Sequence, residues 1–232
     1  RDLFDEVAKE LGVSVEYLDL PWESVLPGLD AGKFDLVNAP VTITAERMKR
    51  YAFTLPIANA TVALVKKAGD DSIMAPADIA GKAAGSQKGS AQLEQLKAFA
   101  ATLPQPVDVR EYVNLDEALA DLAAGRIQAV ANSMPLLGYA ATQRPETFAL
   151  VTPPFGAPTY FAWVGRLGDD NKSLIEAVNA ALLKMHDDGR LAAINEKWLV
   201  GGEVLYNQFD NFANTNIDGD LTTIKARVAY RF

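Results

Sequence analysis

An arginine close behind small hydroxyl residues at the end of an apolar strand is suited to gripping an anion. Residues 36–50 read LVNAPVTITAERMKR. Leu36 and Val37 open as a buried strand opens. Asn38, Ala39, Pro40, Thr42 and Thr44 then shed bulk, and a helical run carries Arg47. Open α/β sheets bind ligands beyond the carboxyl ends of their strands, and residues 38–44 occupy such an end. The spacing predicts that Thr44 caps a helix beginning at Ala45, whose free N–H groups and dipole favour an anion. The planar fork of Arg47 suits a carboxylate; a bidentate charge-assisted pair contributes about 1.5–3 kcal/mol net. The Thr42 hydroxyl can serve a second lone pair. The same residues also fit a purely structural reading, with Thr44 as a cap and Arg47 as a solvated helix residue. A second stretch, GSQKGSAQLEQL at 85–96, sets Gly89 and Ser90 before a helix. Ser90 reads as a cap, and capping alone accounts for it when it is taken by itself. No Gly-Lys-Ser/Thr follows Gly85, so this is not a phosphate loop. His186, the single histidine, stands beside Asp187 and Asp188 and is expected at the surface, with no triad.

The elements that would position these residues alternate. Val13–Leu18, Thr61–Val65, Lys82–Ser86, Val107–Tyr112 and Tyr160–Val164 read as strands. Asn171–His186 reads as a helix with Leu174, Ile175, Val178, Ala181, Leu182 and Met185 on one side, interrupted by Gly189 and Arg190. The opening RDLFDEVAKEL is in helical rhythm and has no Met, as in a fragment or a processed chain. Helices alternating with strands imply α/β architecture with mainly parallel sheets.

A repeat underlies this order. ESVLPGLDAGKFDLV (23–37) and DEALADLAAGRIQAV (116–130) align on their AG pairs, so that Leu29 matches Leu122, Lys33 matches Arg126 and Val37 matches Val130. Gly32 and Gly125 stand where a helix end wants a left-handed residue. Two similar lobes are expected. Residues 1–60 and 162–200 form lobe one, 61–161 form lobe two, and 201–232 form a tail. The chain crosses near 58–65 and returns near 157–164, a two-strand hinge with a groove for a ligand.

Composition narrows the partners. The chain has 232 residues, 49% of them hydrophobic, and a net charge of −8, which is globular and offers no basic patch for nucleic acid or anionic membrane. There is no cysteine, so disulfides, thiolate metal sites and cysteine catalysis are out. No apolar run approaches the roughly 20 residues of a membrane-crossing helix, and no signal peptide is visible. Nothing calls for a cofactor or a metal.

Five stretches carry a resemblance: WESVLPGLDAGKFDLV, TITAERMKRYAFTLPI, DIAGKAAGSQKGSAQ, ALADLAAGRIQAVANSMPLLGY and LLKMHDDGRLAAINEKW. Together they make residues 1 to about 200 resemble bacterial extracellular solute-binding proteins of the polar amino-acid type, the receptors of ABC importers. The resemblance implies a two-lobe periplasmic clamp that closes on an amino acid or related carboxylate. It would work as a monomer and deliver to an ABC permease in the inner membrane. Arg47 matches the carboxylate-binding arginine, Thr42 the nearby hydroxyl, and Trp22 the position that packs on the ligand. Ser90 and Ala91 match the second-lobe helix start.

Three departures follow. Ser133 stands where the family often has an aspartate for the ligand's ammonium, and losing that charge partner costs about 2–5 kcal/mol if nothing substitutes; Asn132 or another acid is a candidate substitute, and a ligand other than a standard α-amino acid is the alternative. Pro40 replaces a contacting Ser or Gly. The family's first strand, central in lobe one, is missing ahead of residue 2, so a gap in that sheet and weak binding are expected.

The tail changes style. LTTIKARVAYRF (221–232) alternates, EVLYNQFDNF is a candidate hairpin partner, and the pair resembles the last hairpin of a small outer-membrane β-barrel. NTNIDGD (214–220) imitates a calcium loop, but its twelfth position is Lys225, so no calcium site is read. Two rival functions stand beside solute binding. One is a periplasmic enzyme of the same fold, similar to cyclohexadienyl or arogenate dehydratase, which would need a positioned acid or base. The other is the ligand-sensing domain of a larger receptor.

Overall fold

The computed structural model describes residues 2–198 and 226–230. These fall into two compact units, the first comprising 2–58, 160–198 and 226–230 and the second 59–159.

Unit 1 contains α1 (Asp2–Leu11), β1 (Val15–Asp19), α2 (Trp22–Asp30), β2 (Leu36–Thr42), α3 (Ala45–Met48) and β3 (Tyr51–Phe53). After β4 (Ala58–Asn59) the chain enters unit 2, and it returns in β10 (Tyr160–Arg166), α7 (Asp169–Asp187) and α8 (Arg190–Trp198). The last described element is β11 (Ala226–Tyr230). The sheet runs β1-β11-β2-β10-β3. β11 is parallel to both β1 and β2, and β10 is antiparallel to β2 and β3. The expected gap is therefore corrected: residues from the far end of the sequence fill it. The tail reading is corrected as well, because 226–230 pair in parallel inside this sheet rather than as half of a barrel hairpin. The partner segment EVLYNQFDNF and the loop NTNIDGD lie outside the described residues.

Apolar periodicity explains the packing of unit 1. Phe4, Val7 and Ala8 bury one stripe of α1, and Phe4 meets Trp163 edge-on with ring centroids 4.9 Å apart. Val25, Leu29, Phe34, Val37, Val41, Tyr51 and Val164 make one buried cluster. The Arg166 guanidinium donates to the carbonyls of Phe34 (2.6 Å) and Leu29 (3.3 Å), satisfying acceptors exposed where α2 ends.

Unit 2 contains β5 (Val62–Lys67), β6 (Ala83–Gln87), α4 (Ala91–Ala100), β7 (Asp108–Tyr112), α5 (Leu115–Ala123), β8 (Ala129–Ser133), α6 (Met134–Gln143) and β9 (Phe148–Phe155). Its sheet runs β7-β6-β8-β5-β9, with β6 parallel to β7 and β8 and β5 antiparallel to β8 and β9. Val62 and Leu64 join one buried cluster, Ala63 and Val65 another, so both faces of the sheet are covered. Along each of these paths the strands are mainly parallel, as expected, with one reversed strand, β10 in unit 1 and β5 in unit 2, next to where the chain passes between the units.

The repeat has one physical cause in each unit. Gly32 and Gly125 take φ of 68° and 75°. Lys33 N–H then reaches the Gly28 carbonyl at 3.0 Å, and Arg126 N–H reaches that of Asp121 at 2.9 Å. Each is a Schellman closure that turns a helix into the following strand.

Candidate functional site

In unit 1, the parallel strands β1 and β2 end at the same edge of the sheet. Trp22 follows β1 and Arg47 follows β2. The strand β2 does not stop at Val37, as its fall in side-chain bulk suggests, but runs through Thr42 with a bulge. Val37 pairs with Val164 and Val41 with Ala162, so three residues of β2 (38–40) face Trp163 alone. Pro40 sits in this bulge, where its missing N–H breaks no ladder bond, and it is exposed. The backbone of Trp163, left out of the β2 ladder, is taken up by Thr54. Trp163 N–H donates to the Thr54 hydroxyl, and Thr54 N–H donates to the Trp163 carbonyl, each at 3.0 Å.

Bulges re-aim side chains, and this one faces Asn38 inward. Asn38 is buried, and its Oδ1 meets no hydrogen-bond partner among the described residues. The amino-acid sequence alone does not mark Asn38 as a ligand group. Its signal was a polar residue in an otherwise apolar strand, too common to single out.

Arg47, Thr42 and Trp22 come together. The Thr44 hydroxyl accepts from Arg47 N–H at 3.2 Å, as expected of a cap. The helix it caps is only one turn, Ala45–Met48, so the expected dipole contribution is corrected to a negligible one. Arg47 Nη1 donates to the Thr42 carbonyl at 3.1 Å, and the guanidinium carbon lies 5.7 Å from the centroid of the Trp22 ring, within cation–π range. Arg47 is half-buried, and this burial pulls its pKa below the usual arginine range. The guanidinium still carries its charge at neutral pH. The solvated-residue reading of Arg47 fails on these contacts. Nearby, Asp30 accepts from both Arg50 and the Tyr51 hydroxyl at 3.0 Å.

In unit 2, Ser90 follows the carboxyl end of β6, and Ser133 is the last residue of the adjacent parallel strand β8. The Ser90 hydroxyl accepts from Leu93 N–H at 3.0 Å and donates to the Gln87 carbonyl at 2.6 Å, so most of its capacity serves the cap. Ala91, the first residue of α4, is half-buried. Asn132 Oδ1 accepts from Ser133 N–H at 2.7 Å. Ser133 is fully buried, and its Oγ, unlike that of Ser90, makes no cap bond and meets no partner among the described residues. Buried polar atoms are nearly always satisfied, so Asn38 Oδ1 in unit 1 and Ser133 Oγ in unit 2 each stand out within their own unit.

His186 departs from expectation. Its side chain is 19% exposed rather than on the open surface, because α1 and α8 pack against α7. Among the described residues no cluster of His, Asp or Glu is arranged to hold a metal. No described helix is long and apolar enough to cross a membrane.

Residues 1–201 match the bacterial extracellular solute-binding proteins, family 3. The L-cystine-binding protein TcyJ of Escherichia coli is 32% identical over 194 residues, spanning 83% of this chain and 70% of that protein. An ancestral arginine-binding protein bound to glutamine is 35% identical with a TM-score of 0.75, covering 85% of each chain. The ancestral amino acid-binding protein AncCDT-1, a precursor of cyclohexadienyl dehydratase, is 30% identical with a TM-score of 0.75, covering 86% of this chain and 84% of that one.

Proposed function

We propose, since this chain belongs to the bacterial extracellular solute-binding proteins, family 3, that it binds a small amino-acid-like solute outside the cytoplasm and hands it to an ABC-importer permease. Similarity to binders of cystine, arginine and glutamine supports an α-amino acid as the solute class. In this reading the protein is a periplasmic monomer, and its permease lies in the inner membrane.

The observation that carries the reading is the half-buried guanidinium of Arg47, braced by the Thr42 carbonyl and lying against Trp22. A fork held in one orientation loses little entropy when a carboxylate docks, and the adjacent indole offers an apolar surface to the body of the solute. Thr42 is the second group on the carboxylate. Ser90, Ala91, Asn132 and Ser133 are the proposed ligand groups of unit 2. Ser133 Oγ can accept a hydrogen bond from an ammonium without neutralising it, which favours a solute that brings its own compensating charge. Pro40 shapes the bulge and is not assigned a contact.

Catalysis of the dehydratase kind would need an acid or base poised to move a proton. The proposed ligand groups are Arg, Thr, Trp, Ser and Asn, which orient and hold, so we read the protein as a binder. Calorimetric titration with L-cystine, L-arginine and L-glutamine tests this. Saturable binding of at least one is expected. Silence across a full panel of α-amino acids would remove the reading.

A further inference from the structure

Among the described residues, β1 pairs with β11 and with no other strand. Five residues of β1, Val15 to Asp19, stand in register with Ala226 to Tyr230. On its other side β11 pairs with β2, Val228 opposite Leu36 and Ala229 opposite Val37. Among the described residues, the strand 226–230 is therefore the only one whose ladder joins β1 to the rest of its sheet. Taken out, it would leave two inward-facing edges a strand's width from pairing, since neighbouring strands need about 4.7–4.9 Å. Each edge would carry unpaired N–H and C=O groups inside a domain.

The position has a topological meaning. In a parallel crossover unit, the strand before a helix commonly lies beside the strand after it. α1 leads into β1, and the neighbour of β1 is β11. The grouping β11–α1–β1 is such a unit, with its first strand taken from residues 226–230. The two strands that β11 joins are also those that lead into the site. β1 ends three residues before Trp22, and β2 carries Asn38 and Thr42 and leads to Arg47.

We propose that residues 226–230 are a sheet-completing strand acting within their own chain, and that their docking holds β1 and β2 in the register that brings Trp22 against Arg47. The first half stands independently of any ligand. The second rests on the reading of Trp22 and Arg47 as ligand groups.

The test uses the full chain and the substitution Val228→Pro, which removes a ladder donor at the residue paired on both sides. Hydrogen exchange is read at the amides of β1, with those of β6 in unit 2 as reference. At least about tenfold faster exchange at Val15–Asp19, with β6 unchanged, is expected for local opening of this strand. Unchanged exchange in β1 would overturn the proposal. A second variant guards against general unfolding: Tyr17→Cys with Val228→Cys, in a chain that has no cysteine of its own. These positions are register partners, and neighbouring strands bring Cα atoms within the span a disulfide bridges. Oxidation should give a cross-linked monomer. A disulfide-linked dimer, which would mean that another copy supplies the strand, or no cross-link at all, would overturn action within the chain.

Titration of L-cystine, L-arginine and L-glutamine completes the test. If the unsubstituted chain binds one of them, Val228→Pro should weaken that binding at least tenfold, and equal affinity would overturn the positioning half. If the unsubstituted chain binds none, the proposed function fails, while exchange and cross-linking still decide the strand.

Discussion

The Arg47 guanidinium donates to the carbonyl of Thr42 five residues earlier, at 3.1 Å, and so closes the turn between β2 and α3 around its own charge. One arm of the fork is spent on the backbone, and this fixes the orientation of the rest. Arg47→Ala should therefore weaken amino-acid binding at least tenfold, about 1.4 kcal/mol or more. Arg47→Lys should not restore it, because an ammonium keeps the charge and loses the fork. Calorimetric titration checks both. Equal affinity of Arg47→Ala and the unsubstituted protein would remove Arg47 from the site.

Thr54→Val should destabilise unit 1 by about 1–3 kcal/mol, because it strands the buried Trp163 N–H without replacing its acceptor. The hydroxyl also donates to the Leu55 carbonyl at 3.0 Å, so two bonds are lost with nearly constant volume. The expected loss is several degrees of unfolding temperature, read by calorimetry or circular dichroism. Thr54→Ser, which keeps the hydroxyl, should recover most of it.

Gly125→Ala and Gly32→Ala should each cost about 1 kcal/mol through backbone strain alone. A Cβ at either position meets no atom within 4 Å, while φ stays at 75° or 68°. Gly125→Asn should be milder than Gly125→Ala, because asparagine tolerates this conformation better. Denaturant midpoints of the three variants decide the order. An alanine as harmless as the asparagine would contradict the helix-end account.

Acid should weaken the attachment of α1 to α7 and α8. The Glu10 carboxylate is held below the ordinary glutamate value of 4.5 by hydrogen bonds from Lys184 and then from Arg190. Arg190 also lowers the pKa of Asp188. A carboxylate with a depressed folded-state pKa adds stability that is complete above its unfolded value and disappears as pH falls through the folded one. Unfolding temperature should thus hold above about pH 5 and decline below pH 4.5. Glu10→Gln should flatten part of that acid limb, and added salt should shrink the difference because these pairs are solvent-accessible. An identical pH profile for Glu10→Gln would show that the pair contributes nothing.

Local chemistry determined much of this protein before any coordinates. Alternation and 3.6-residue periodicity placed β1, β5, β6, β7, β10 and α7 to within a few residues, and the paired Ala-Gly steps located both helix-to-strand turns. These features depend on neighbours in the chain, so the chain displays them. The sequence hid β9, because Pro153 and Pro154 argue against a strand; only its place at a sheet edge makes them tolerable. It hid the bulge at residues 38–40, which exists only because β10 pairs on both sides of it. The bond from Arg47 to Thr42 and the stacking on Trp22 likewise required β1 and β2 to end side by side. The insertion of residues 226–230 was furthest from view. A strand pattern advertises one pairing edge as readily as another. Which edges it joins is set by the vacancy that distant segments leave in a sheet, and only the folded chain contains that vacancy.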